Sequence, residues 1–160
     1  MSTDGYALLK LVHVLSATLL FGTGLGTAFF QWRAHRSGDV RAIAITARAV
    51  VLADWLFTTP AVIVQPLTGV LLAHQVGYDL GASWLVASML LYLVAGACWL
   101  PVVWVQIRVR ELAADAAARG TALPPRYHRL MRLWFALGWL AFAAVLLIFW
   151  LMVRKPLLWG

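Results

Sequence analysis

Charge is scarce in this chain, and negative charge most of all: Asp and Glu number six against thirteen Lys and Arg. Charged residues make up 12% of the sequence, where a soluble domain carries about 25%. That deficit excludes an ordinary solvated globular surface. Cysteine is nearly absent, and Cys98 alone cannot form an intrachain disulfide. Its thiol reads as a small buried apolar group. No Cys-x-x-Cys-His, His-Glu-x-x-His or other metal-spaced cluster is present, which excludes those metal and haem-attachment motifs. There is no low-complexity tract and no internal repeat.

Apolar residues fill the place of charge, at 63% of 160. They gather in four long runs, 6–31, 50–73, 84–107 and 133–153. About 20 apolar residues in a helix cross a bilayer core of about 30 Å. Lipid admits only helices or closed barrels, because backbone polar groups there find no water. These runs are too long and too little alternating for barrel strands. The first lacks the short apolar core and small-residue cleavage site of a signal peptide, so it reads as a retained span. The expected fold is all-α, an integral membrane four-helix bundle forming a single domain, 1–160, with helices over about 6–31, 50–76, 84–113 and 128–153.

The connection after the first span carries Arg33, Arg36, Arg41 and Arg48, and that after the third carries Arg108, Arg110, Arg119, Arg126, Arg129 and Arg132. The connection after the second carries none. Lys and Arg stay on the cytoplasmic side, so both arginine-rich connections face the cytoplasm and both termini face out. The basic pI of about 10.5 reflects these membrane-flanking arginines, which meet anionic lipid; nucleic acid is not an expected partner. His35 and His128 lie in the same connections and read as solvent-exposed. RVRELAADAAARG extends the third helix to a stop at Gly120, and Pro124–Pro125 break the chain before the fourth.

Ionisable groups inside spans are costly and mark functional sites by default. His13 lies seven residues past Tyr6, about 10 Å along the helix, in the outer half of the membrane. Lys10 lies one turn nearer the outer surface. In the second span Asp54, Thr58, Ala61, Gln65 and Thr68 recur at helical spacing as a largely polar stripe, with Pro60 and Pro66 as kinks. The stripe predicts interhelical hydrogen bonds, and Asp54 near Arg48 predicts an ion pair. In the third span Ser88, Tyr92, Ala95 and Trp99 share a face. His74 ends the second span on the outer side, and Arg154 and Lys155 end the fourth there.

Lys10, His13, His74, Arg154 and Lys155 are thus expected to converge on the outer half of one bundle. Helix bundles hold cofactors between facing side chains. Haem b suits this set: iron takes a neutral imidazole nitrogen and the propionates take cations. His13 is the expected iron ligand, His74 or Lys155 the second, with Arg154 and Lys10 at the propionates.

KLVH in the first span, ADWLFTTPAVIVQPLTGVLL in the second and the closing LMVRKP resemble HemJ-type protoporphyrinogen oxidases. Along its whole length the chain is similar to a broader set of bacterial integral membrane proteins of unknown function. The first resemblance implies a haem b site in a four-helix bundle of the bacterial inner (cytoplasmic) membrane, with Lys10, His13 and Lys155 at the matching positions, and a redox partner. Two features depart from it: 84–107 contains no histidine, and the last span lacks a Phe-Asn-Glu cluster. The expected function is a membrane haem protein of cytochrome b type, moving electrons. The alternatives are a protoporphyrinogen oxidase-like enzyme of haem synthesis, and a cofactor-free scaffold or transporter subunit acting as a homodimer.

Overall fold

The computed structural model describes residues 3–159; residues 1, 2 and 160 lie outside the described part. Helix α1 spans Thr3–Ser37, α2 Val40–Ala53, α3 Thr59–Val76, α4 Ser83–Arg119 and α5 Pro125–Arg154. A single π turn, Asp54–Thr58, joins α2 to α3, so that Val40–Val76 forms one continuous span. Four spans are long and apolar enough to cross a membrane, and the described residues contain no strand. The all-α, four-span architecture follows.

The helices run further than the apolar stretches. α1 has 35 residues and α4 has 37, about 50–55 Å of helix at 1.5 Å per residue, well beyond a hydrocarbon core. The excess lies at the arginine-rich end. Residues 32–49 do not form a connecting loop: only Gly38 and Asp39 interrupt the helices. Gly38 takes the left-handed conformation, φ 70°, which glycine adopts without a Cβ clash. Asp39 then caps α2, accepting from the amides of Arg41 and Ala42. α2 is amphipathic, so it helps build the core there while Arg41 and Arg48 point outward. At the same end of the bundle Gly120, φ 65°, stops α4, and its N–H and that of Thr121 return to the Ala116 carbonyl.

Packing is concentrated at that cytoplasmic end. Ile43, Ala47 and Val50 of α2, Val105 and Val109 of α4, and Tyr127, Met131 and Trp134 of α5 are buried together. Each helix contributes at spacings of three and four, the apolar stripe of a packed helix. A smaller cluster of Ala73, Trp84, Leu85 and Leu151 closes the outer end. Between them α1 lies mainly on α2 and α3, and α4 mainly on α5. Phe21 of α1 stacks on Phe142 of α5 at 5.1 Å. Leu93, Leu100 and Val153 are 67%, 65% and 82% exposed, a surface fit for acyl chains.

The π turn and two prolines shape the second span. In the π turn the Thr59 amide donates to the Asp54 carbonyl, one residue beyond the α-helical register. One extra residue turns the two halves of the span relative to each other by about 100°. The polar stripe is therefore divided: Asp54 reaches α4, whereas Gln65 and Thr68 reach α1. Pro66 has no N–H and deprives the Val62 carbonyl of its helical donor. The Tyr92 hydroxyl of α4 donates to that carbonyl at 2.6 Å.

Candidate functional site

The His13 ring lies between α1 and α3, half-buried, and both nitrogens are engaged. Nδ1 is 2.8 Å from Thr68 Oγ1, and Nε2 is 3.2 Å from Gln65 Nε2. Donor accounting orders the cluster. The Thr68 hydroxyl donates to the Val64 carbonyl at 2.8 Å, as helical threonines commonly do. Its oxygen therefore receives a proton, and His13 Nδ1 carries it. A neutral imidazole has one N–H, so Nε2 bears the lone pair and accepts from the Gln65 amide. Gln65 Oε1 in turn accepts from Ser16 Oγ. The chain runs Ser16 to Gln65 to His13 to Thr68 to Val64, each link leading from a donor to an acceptor. Ser16 and Thr68 are buried, so this matching removes the penalty of unpaired polar groups in an apolar medium.

Glycine at 69 lets the ring lie on α3. A Cβ there would come 3.2 Å from His13 Cε1, tighter than an ordinary contact. The signal was present in the sequence: Ser16 follows His13 by three residues, and Gln65, Thr68 and Gly69 recur at three and four.

The other expected site residues do not join His13. Lys10 is exposed one turn outward on the same helix. His74 is exposed, and nine residues beyond Gln65 it faces the opposite side of α3, about 180° around. Lys155 donates to the Tyr78 hydroxyl and sits 4.6 Å from the Tyr78 ring centre and 5.7 Å from that of Trp84. Tyr78 lies beyond the end of α3, so Lys155 is held at the outer end of that helix, more than a turn past Thr68. Arg154 is exposed at the end of α5.

These positions decide how haem fits. His13 would hold the iron through Nε2, with Nδ1–H kept on Thr68 as the usual support of a metal-bound imidazole, and only by giving up the Gln65 N–H that Nε2 now accepts. Lys10 lies one turn away, exposed and without an ion-pair partner among the described residues. A second protein ligand is not supplied, since neither His74 nor Lys155 faces His13 in this arrangement.

A second polar group stands nearer the cytoplasm. Asp54 Oδ1 accepts from Trp99 Nε1 at 3.3 Å and Oδ2 from Gln106 Nε2 at 2.8 Å. The expected pair with Arg48 does not form; the described ion pairs are Arg108 and Arg110 with Glu111, and Arg119 with Asp115. Facing Asp54 toward α4 carries it away from Arg48, on the outer side of α2. At the cytoplasmic surface His35 is half-buried rather than open, with Nδ1 3.3 Å from Tyr127 Oη and its ring against His128. His35 lies beyond the apolar stretch, between Arg33 and Arg36. Burial, then His128 and Arg36, hold its imidazole below the ordinary histidine value.

The family model described as "Predicted integral membrane protein (DUF2269)" matches residues 7–156, nearly the whole chain, and the chain belongs to that family. No curated protein and no solved structure matches it.

Proposed function

We propose that this member of an integral membrane family carries haem b on His13 and serves in electron transfer within the bilayer. What supports this is the His13 cluster, in which Thr68 Oγ1, itself donating to Val64, lies 2.8 Å from Nδ1 and the Gln65 amide nitrogen lies 3.2 Å from Nε2, contacts that suit a proton on Nδ1 and a lone pair on Nε2. His13 is the one protein ligand, Lys10 takes a propionate, and Thr68 sets the ring tautomer. When bound, the haem would supply a one-electron couple. The residues of this chain orient the imidazole and keep it neutral. For His13 to hold the iron, Gln65 would have to release the bond its amide now makes to Nε2.

The test is a hemin titration of detergent-purified protein. A Soret band that forms with one equivalent, and fails to form in His13→Ala, is the expected result. Thr68→Val should weaken binding by about 10–100-fold, the usual effect of losing such a supporting hydrogen bond. A protein that stays colourless with excess hemin overturns the reading.

One observation favours a second reading. Nε2 of His13 already has a partner in Gln65, so the cluster is complete without a cofactor. The chain then acts as a cofactor-free scaffold or as half of a dimeric transporter, and the Gln65–His13 bond joins α1 to α3. Gln65→Leu should then impair assembly or transport in a colourless protein. Normal behaviour of that variant would count against it.

A further inference from the structure

A cleft of about 290 Å³ lies at the arginine-rich end of the bundle, between α4 and the first turn of α5. Arg108, Glu111, Leu112 and Asp115 of α4 and Arg126 of α5 line it. Small-molecule sites begin at about 300 Å³, so the cleft as packed admits a small polar group.

The charges around it are not balanced. Glu111 meets Arg108 at 2.8 Å and Arg110 at 3.9 Å, and Asp115 holds Arg119. Arg126 has no carboxylate partner among the described residues. It is the second residue of α5, and no side chain caps that end of the helix. A helix N-terminus carries about half a positive charge, so a cation there is unfavourable until an anion joins it. Both carboxylates of the cleft already serve other arginines, and a negative group from outside would complete the site.

The depth of the cleft indicates where that group comes from. Arg108 is the first charged residue after the apolar run 84–107. Its guanidinium lies 6.0 Å from the centre of the Trp104 ring. Trp104 is exposed, and tryptophans gather at the level of lipid headgroups. Asp115 follows Arg108 by seven residues, about 10 Å along the helix, enough to cross a headgroup layer about 5–7 Å deep. A phospholipid presents its phosphate at that depth, and arginine matches phosphate with two parallel N–H bonds. Glu111 and Asp115 on the same wall repel a second anion but accept from hydroxyls.

We propose that this cleft holds the headgroup of one anionic phospholipid whose phosphodiester carries free hydroxyls, as in phosphatidylglycerol. Arg126 and Arg108 take the phosphate, and Glu111 and Asp115 accept from the hydroxyls. The arginines flanking the spans favour anionic lipid in general, whereas the cleft takes one molecule at one place. It is separate from His13 and does not depend on whether haem binds there.

The experiment is native mass spectrometry of the delipidated full chain in detergent, with added phosphatidylglycerol, phosphatidylethanolamine or soluble glycerol phosphate. The expected result is a first phosphatidylglycerol held more tightly than later ones and more tightly than phosphatidylethanolamine, with no glycerol phosphate bound at the same concentration. Arg126→Ala should weaken that first site by about tenfold, the loss of one charge-assisted contact. Arg126 is exposed, so its truncation leaves the core intact. Arg41→Ala removes the same charge from the exposed side of α2 and should leave the first site unchanged. Equal weakening by the two variants overturns the proposal, because binding would then follow net charge alone. A wild-type protein with no distinct first site also overturns it, as does one that holds phosphatidylethanolamine or glycerol phosphate as tightly as phosphatidylglycerol.

Discussion

The hydroxyl of Tyr92 lies 2.6 Å from the carbonyl oxygen of Val62 and donates to it. Pro66, four residues beyond Val62, is the reason that carbonyl is free. One helix thus repairs a gap that proline makes in another, as membrane proteins require where no water can do so.

Tyr92→Phe should therefore destabilise the protein by about 1–3 kcal/mol, the cost of a buried unsatisfied acceptor. In a Pro66→Ala background, where the alanine amide can donate to Val62, the same substitution should cost less. Thermal unfolding in detergent, run as a double-mutant cycle, reads the coupling. Equal costs in both backgrounds would show that Tyr92 does not compensate for Pro66.

Asp54 gives a second prediction. Gln106→Leu leaves its carboxylate with Trp99 alone and should lower stability by about 1–3 kcal/mol. Replacing both groups, in Asp54→Leu/Gln106→Leu, should cost less than the single change, since only the weakly bonded Trp99 N–H, and no carboxylate, is left short of a partner. A double variant that is less stable than Gln106→Leu contradicts this.

The third concerns pH. Burial, with His128 and Arg36, holds His35 below the ordinary histidine value in the folded protein. The unfolded chain then binds the proton more readily, so this contribution is present above about pH 6.5 and is lost as pH falls below it. His35→Gln should lose less stability than wild type between about pH 7.5 and pH 5.5. Parallel unfolding curves for the two proteins would exclude the effect.

Much of this fold was legible in the sequence, because hydrophobic length alone sets the number of spans. Gly120 stopped α4 as its position implied, and the stripe of Gln65 and Thr68 does bond between helices. Two things were not legible. The π turn at Asp54–Thr58 changes which neighbour each half of the stripe faces, and no residue count reveals an added residue in a helical ladder. Helical end and face also matter. Counting basic and imidazole groups at one end of the bundle joined His74 and Lys155 to His13, yet His74 faces away from α1 and Lys155 is held at Tyr78. Gln31 and Trp134 come from spans distant in sequence, and only packing sets both on the wall of one small space.

The central claim is that His13 is neutral with its proton on Nδ1 and a lone pair on Nε2, since the haem reading needs that nitrogen bare. Nitrogen NMR of histidine-labelled, haem-free protein in bilayers measures this, with His13→Gln used to assign the signal among the four histidines. The account predicts a protonated Nδ1 and an unprotonated Nε2 at His13. A proton on Nε2 with Nδ1 bare would contradict it, because the lone pair would then face Thr68, and Nε2 could neither accept from Gln65 nor hold an iron.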